Sequence, residues 1–437
     1  METIGAVAGE GLRHPWAAGL IFIFTFIMIS VRRMQLLPIG RPSAAMLGAV
    51  LMVLCGVMSP EEAYTLVNWD TICLLLGMMI IAEHLRAAGL FQKFTSGVAQ
   101  VDSPFGLLMA LSVISALSSA ILVNDTVCVV MTPLVLAICR HKRLNPFPYL
   151  IVLVTSANIG SALTLTGNPQ NMIVGNLSGM NYLRFIAVMS LPVLVAMGFN
   201  SLLAWLYYRN QLLLPEATAN AGLEEDSEAS DVEEVAKTRR LRIGLFGLGL
   251  TCLGFATGFS MAFSALAGAV VVITFHRRDP ADILARVEWS LLLFFASLFV
   301  VIGGLQTSGL ARIITESPLQ MVSGSLSSQV WIFSGVTLLG SNVLSNVPYV
   351  LLAASSVPSL GNSELFWSIL AYVSTVAGNM TLFSSVANLI VAESAKDRCS
   401  ISFWGYARFG IPTTLLSIIF GVLIMLQIFA ATSTVAH

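Results

Sequence analysis

An all-α polytopic membrane protein built from two inverted repeats is the fold this sequence predicts, on three observations. Hydrophobic residues make up 56% of the 437 residues and charged residues only 10%, where a soluble domain carries about 25% charge. The apolar residues fall into many runs of about 15 to 25, long enough to cross a hydrocarbon layer of roughly 30 Å. The pattern of landmarks in residues 1–210 then recurs in residues 243–437.

The repeat is visible residue by residue. Leu47-Gly48-Ala49-Val50, followed by Pro60, returns as Ala267-Gly268-Ala269-Val270, followed by Pro280, an offset of 220. At that offset Val67-Asn68-Trp69-Asp70 becomes Val287-Glu288-Trp289-Ser290, Ala88-Gly89-Leu90 becomes Ser308-Gly309-Leu310, and Pro192 becomes Pro412. Small slips pair Asn124 with Asn346 (offset 222), and Thr164 and Asn171 with Thr381 and Asn388 (offset 217).

Taken in order, the run at 16–31 reads as a first spanning helix, because Arg32-Arg33 follows it where a signal peptide would show small residues for cleavage. Runs at 42–58 and 69–87 are further spans, 104–139 a re-entrant hairpin, 148–180 an interrupted span and 183–208 the last span of the half. Five crossings and a hairpin bring the second copy in from the opposite side, the inverted-repeat plan of many secondary transporters. Its hairpin is expected near 319–358. Residues 211–242 read as a solvated cytoplasmic linker, acidic from Glu224 to Glu234 and basic from Lys237 to Arg242.

Charge gives the orientation. Arg32-Arg33, Lys93, Arg140 to Arg143, Arg209, Lys237 to Arg242, His276 to Arg278 and Lys396 to Arg408 all become cytoplasmic under one threading, leaving only isolated Arg13, Arg184 and Arg312 outside. The expected location is the cytoplasmic (inner) membrane. A formal net charge of -1 gives no reason to expect a nucleic-acid partner. Six cysteines without CxxC spacing read as small buried apolar residues.

Broken backbone within a bilayer is tolerated only where protein or a water-lined cavity satisfies it, so polar clusters inside apolar runs mark the candidate site. Four occur, at repeat-related positions: Asn124-Asp125-Thr126; the stretch Gly160 to Asn171 with Ser161, Thr164, Gly167, Asn168 and Asn171; Ser345-Asn346; and Gly378 to Asn388 with Asn379, Thr381, Ser384, Ser385 and Asn388. Exposed amide groups at helix starts favour an anion, while carbonyl, Ser, Thr and Asn oxygens favour Na+. Asp125, a carboxylate deep in an apolar region, is a candidate for carrying a proton or holding a cation. Glu393 could share that role. Asp70, Glu83, His84 and Arg86 read as interfacial side chains at helix ends.

The sequence resembles the ion-transporter superfamily of arsenical pump membrane proteins, citrate permeases, dicarboxylate and sulfate carriers and Na+/H+ antiporters. The resemblance covers about 40–430 and is carried by Asn124-Asp125-Thr126 with Met131-Thr132-Pro133, Ala157 to Ser161 leading into Gly167-Asn168-Pro169-Gln170-Asn171, and Gly378-Asn379-Met380-Thr381 leading into Ala387-Asn388. It implies two re-entrant hairpins and two unwound helices around one site, and carriers of this kind are often homodimers. The tips Asn-Asp-Thr and Ser-Asn-Val depart from the paired Ser-Asn-Thr of the dicarboxylate carriers. The reading that follows is a secondary transporter of a small inorganic or organic anion, coupled to H+ or Na+. Arsenite or antimonite efflux, Na+/H+ antiport and an ion channel are its alternatives. HExxH, GxSxG and Walker patterns are missing, so the expectation is a non-enzyme without a cofactor, and any ATP drive would need a separate ATPase subunit.

Overall fold

A computed structural model describes residues 15–30, 40–213, 231–275, 280–310 and 325–435. They contain nineteen α-helices and no strand, only one isolated bridge between Leu144 and Leu213. The first half runs α1 (Pro15–Ser30), α2 (Arg41–Leu54), α3 (Pro60–Leu66), α4 (Trp69–Ala87), α5 (Leu90–Ala99), α6 (Pro104–Ile121), α7 (Asn124–His141), α8 (Pro146–Ser161), α9 (Pro169–Ser178) and α10 (Tyr182–Tyr208). The second runs α11 (Asp231–Ala256), α12 (Met261–Phe275), α13 (Pro280–Leu284), α14 (Trp289–Thr307), α15 (Leu326–Leu344), α16 (Asn346–Ala354), α17 (Ser363–Ala377), α18 (Val386–Ala395) and α19 (Phe403–Val435).

Local chemistry sets these boundaries. Ser59, with Pro60 and Glu62 after it, forms a complete capping box at the start of α3, which satisfies two otherwise unpaired amides. That short helix meets α4 at a 53° bend. Neither α3 nor α5 is among the predicted spans, because seven and ten residues are too few to register as crossings. By length and composition α6, α10, α14 and α19 could each cross a membrane, and α3 with α4 makes a fifth; α1, α2, α12, α17 and α18 are shorter apolar helices.

The segment expected to be a linker differs in its last third. Residues from Asp231 onward are already helical and run into the apolar part of α11, consistent with the helix-forming composition Val-Glu-Glu-Val-Ala-Lys. Arg13, Arg32-Arg33, the acidic residues 224–230, His276 to Arg278, Arg312 and the first part of the hairpin expected from 319 lie outside the described residues.

Both arms of the first hairpin open on one side. Lys142, just past α7, donates its ammonium to the carbonyl of Val101, just before α6, at 2.9 Å. Its tip lies where the chain breaks between α8 and α9, since the amide of Asn124 donates to the carbonyl of Gly167 at 3.0 Å. In the second hairpin, the Thr337 hydroxyl of α15 meets the Tyr349 hydroxyl of α16 at 3.3 Å. The two helices that precede the breaks form the innermost layer: α8 is buried from Pro148 to Ser161 and α17 from Leu365 to Ala377. Outer helices present Trp16, Leu194, Phe263 and Trp404 outward, as a hydrocarbon solvent allows.

Gly160 permits the tight seam between α8 and α6. A Cβ there would lie 2.3 Å from the Ala116 backbone, so only glycine lets the two helices approach this closely.

Candidate functional site

Each broken span is closed by an asparagine from the helix that follows it. Asn171 in α9 donates its Nδ2 to the carbonyls of Ser161 (3.2 Å) and Thr164 (2.9 Å). Asn388 in α18 donates its Nδ2 to those of Gly378 (2.7 Å) and Thr381 (2.9 Å). Carbonyls orphaned by the end of α8 and of α17 are thus satisfied by a side chain in the absence of membrane water. Asn168 also caps α9 by accepting from the Asn171 amide at 2.8 Å.

The two breaks are held reciprocally. Asn158 of α8 donates Nδ2 to Asn379 Oδ1 (2.8 Å) and Asn388 Oδ1 (3.0 Å) in the second break. Its counterpart at offset 217, Thr375 of α17, accepts from Asn168 Nδ2 (3.2 Å) and donates to Asn171 Oδ1 (3.2 Å) in the first. The helix before each break therefore grips the opposite break.

This network fixes the direction of every amide in it. Because Asn388 Nδ2 faces two carbonyls, its Oδ1 must accept; Asn158 Nδ2 therefore donates, and Asn158 Oδ1 accepts from Asn124 Nδ2 at 2.9 Å. Asn124 Oδ1 is left buried without a partner, as is Oδ1 of its repeat counterpart Asn346. Both residues line one central cavity of about 50 Å³. Orphaned buried acceptors of this kind cost about 1–3 kcal/mol each, a cost that a hydroxyl donor or a cation bound in the cavity would relieve.

The cavity has a mixed charge character. The N-terminal ends of α7, α9, α16 and α18 all contribute to its lining, through Asn124, Gln170, Asn346 and Val386. Helix starts carry partial positive charge. Arg41, at the start of α2, adds a full positive charge and Asp125 a negative one. Asp125 also lines a second cavity of about 130 Å³ toward the side predicted to be cytoplasmic, with Thr126, Glu83, Arg86, Arg286 and Glu288. On the opposite side a third cavity of about 590 Å³ is lined by Asn68, Asp70, Phe299, Gln306 and Leu351, among others. These outer and inner cavities share lining positions at the repeat offset: 66, 67 and 68 against 286, 287 and 288, and 299, 303 and 306 against 79, 83 and 86.

Of the residues singled out from sequence, Asn124, Asp125, Ser345, Asn346, Ser384 and Ser385 line the central cavity. Ser161, Asn168, Asn171, Asn379, Thr381 and Asn388 lie behind it as the network that shapes it. Thr164 donates to the Ala120 carbonyl and joins α6 to the break, and Gly167 supplies the carbonyl that anchors the tip. Thr126 belongs to the inner cavity.

Glu393 points away: it is exposed and ion-paired with Lys396. Glu83 and His84 correct the interfacial reading, since both are buried. Glu83 is gripped by Arg86 through two bonds of 2.6 and 2.7 Å, and His84 Nε2 lies 2.9 Å from the Arg240 carbonyl. Burial follows because α4 is packed on all sides over its last turns, where hydropathy alone showed only a helix end. Sequence reasoning passed over Arg41, Asn158, Gln170 and Thr375. Asn158 and Gln170 stood inside recognised motifs, and Thr375 could have been found as the offset partner of Asn158.

Among the described residues no three His, Cys, Asp or Glu side chains gather as a metal site. The oxygens of Asn124, Asp125, Ser345 and Asn346 are the hard donors that could hold a monovalent cation.

Comparison with known proteins gives a consistent result. Residues 22–377 match the family described as citrate transporter, CitMHS. A Dictyostelium discoideum protein bearing the transporter name arsB is 30% identical over 95% of this chain and 92% of its own. The silicon efflux transporter LSI3 of Oryza sativa is 31% identical over 92% and 96%, and a 46 kDa membrane protein of Mycobacterium leprae is 29% identical over 91% and 95%. In fold, the chain is similar to the Alcanivorax borkumensis YdaH transporter, whose topology is described as unusual: TM-score 0.56, 16% identity, 96% of this chain and 99% of that one.

Proposed function

The chain belongs to the CitMHS citrate transporter family and is a membrane transporter, and on that premise we propose that it moves a small oxyanion or oxyacid across the cytoplasmic membrane by alternating access. The observation that carries this reading is the central cavity itself. Its helix starts and Arg41 attract negative oxygen, while Asn124 Oδ1 and Asn346 Oδ1 call for a hydroxyl donor or a cation. A small acid bearing both anionic and hydroxyl oxygens meets both demands. At about 50 Å³ the cavity is far below the several hundred Å³ of sites for larger ligands, which supports a compact inorganic species over a tricarboxylate.

Coupling to H+ through Asp125, or to Na+ at the tip oxygens, supplies the drive. A second reading, arsenite or antimonite efflux, draws support from a relative bearing the arsB name and from another named for silicon efflux.

The test is purified protein in liposomes with a panel of arsenite, sulfate, citrate, succinate, Na+ and Li+ under imposed proton or sodium gradients. Saturable counterflow of an oxyanion or oxyacid is the expected result. Currents that scale with voltage without saturating would identify a channel instead, and transport of Na+ or Li+ alone would identify a cation antiporter.

A further inference from the structure

Around the two breaks the repeat mostly answers one polar side chain with another, but not at Gln170. Asn124 pairs with Asn346 at offset 222, and Asn168 and Asn171 pair with Ser385 and Asn388 at offset 217. Gln170, the second residue of α9, falls on Ala387 at that same offset. The first half therefore brings to the central cavity a buried amide that the second half lacks.

The direction of that amide is set by the residue behind it. Asn171 Nδ2 faces the carbonyls of Ser161 and Thr164, so its Oδ1 accepts, and the Thr375 hydroxyl 3.2 Å away must donate to it. A hydroxyl has one proton to give. Toward Asn168 Nδ2 at 3.2 Å and Gln170 Nε2 at 3.4 Å, Thr375 can then only accept. Gln170 thus turns its Nε2 to Thr375 and leaves its Oε1 to the cavity it lines. Asn124 Oδ1 and Asn346 Oδ1 are without a partner, and both residues line the same cavity of about 50 Å³.

This arrangement is chemically one-sided. An amide oxygen accepts and never donates. A ligand that offers it a hydroxyl is bound, while one that offers only bare anionic oxygens leaves it unpaired and is repelled. We propose that Gln170 is a specificity-determining residue: its Oε1 accepts a hydroxyl of the transported oxyacid and so disfavours oxyanions of equal size and charge that carry none. This rests on the reading of the cavity as the substrate site. Thr375 is a positioning residue in this scheme, because it holds the Gln170 amide in its accepting direction from behind the cavity.

The probes are hydrogen phosphate and sulfate, tetrahedral dianions of near-equal size that differ by one hydroxyl. Each competes with whichever species of the panel is carried in proteoliposomes, at a mildly alkaline pH where phosphate is the dianion. Wild type should bind phosphate about tenfold or more tighter than sulfate. Gln170→Met, similar in length and without a polar end, should bring that ratio down by about tenfold, chiefly by weakening phosphate. Gln170→Glu keeps acceptor oxygens in place but has no proton for Thr375. It should weaken both dianions through its charge and preserve their ratio.

The Glu variant separates the two ends of the side chain. If Gln170 acted only by bracing Thr375, Glu would lose the ratio as Met does, and that result overturns the proposal; it also decides the matter should Gln170→Met fail to fold. A wild type that binds phosphate and sulfate equally, or neither, overturns it too, as does a ratio that Gln170→Met leaves unchanged. A change confined to the Na+ dependence of transport would assign the amide to a cation and likewise overturn it. All of these leave the carrier reading intact. If no member of the panel is carried, the carrier reading itself fails, and the proposal with it.

Discussion

Asn158 is the residue on which the polar centre depends. Its Nδ2 serves Asn379 and Asn388, and its Oδ1 accepts from Asn124 at the first tip. Asn158→Ala would leave these buried partners unmet, costing on the order of 2–4 kcal/mol and abolishing transport. Asn158→Asp, equal in shape, should fail almost as badly, because a carboxylate would face two carbonyl oxygens in place of an amide. Thermal unfolding in detergent read beside counterflow checks both; an Asp variant with wild-type melting and transport would show that volume, not donor direction, matters here. From sequence, the clusters of Asn, Ser, Thr and Gly were legible because polar runs interrupt apolar ones. The bridging role of Asn158 and Thr375 was not, because a polar side chain within a buried helix looks the same in sequence whether it faces a neighbour's backbone or bridges two halves. Arg41 was hidden for the opposite reason: a charge at a helix end normally belongs to the interface, and only the lining of the cavity shows it directed inward.

At the scale of elements, the second hairpin tip stores strain that the first does not. Ser345 sits at φ 73, ψ 155, whereas the corresponding Val123 has an ordinary extended φ of -61. That positive-φ region is one that glycine adopts freely and serine does not, at a cost of about 1–3 kcal/mol. Ser345→Gly should accordingly raise stability by about 1 kcal/mol, less what glycine adds to the entropy of the unfolded chain, and the Tm in detergent should rise. A fall in Tm would mean that the serine hydroxyl contributes more than its backbone costs. The opposite exchange is expected at the α6–α8 seam. Gly160→Ala would drive a methyl into the Ala116 backbone and should cost about 1–3 kcal/mol, seen as a lowered Tm and reduced folded yield. The hairpins and breaks were readable in advance because Gly, Pro and Asn punctuate them. The short helices α3 and α5 were not, since a capped turn at an interface needs no apolar run and leaves no hydropathy signal.

For the whole molecule, the two vestibules differ more than their shared pattern suggests. The outer measures about 590 Å³ and the inner about 130 Å³. At matching positions the outer has Leu66, Asn68, Gly303 and Gln306 where the inner side has Arg286, Glu288, Glu83 and Arg86. Arg286, in the turn before α14, approaches Glu83 of α4 at 3.9 Å and so ties the inner walls together, while the described lining of the outer cavity holds one charged side chain, Asp70, and no such pair. If transport proceeds by alternating access, removing that tie should shift the population toward the inward-open form, and a tenfold shift needs only about 1.4 kcal/mol. The repeat-related pair Val67 and Val287 reports this, since they line the outer and inner cavities respectively. In a background lacking the six native cysteines, Val67→Cys should react with a small methanethiosulfonate reagent faster than Val287→Cys. Adding Glu83→Gln should speed the reaction at position 287 and slow it at position 67 by similar factors, because a single two-state equilibrium governs both. Reaction rates at both positions that rise together would point to local loosening of the inner wall, and rates that do not move would remove Glu83 from any part in closing it.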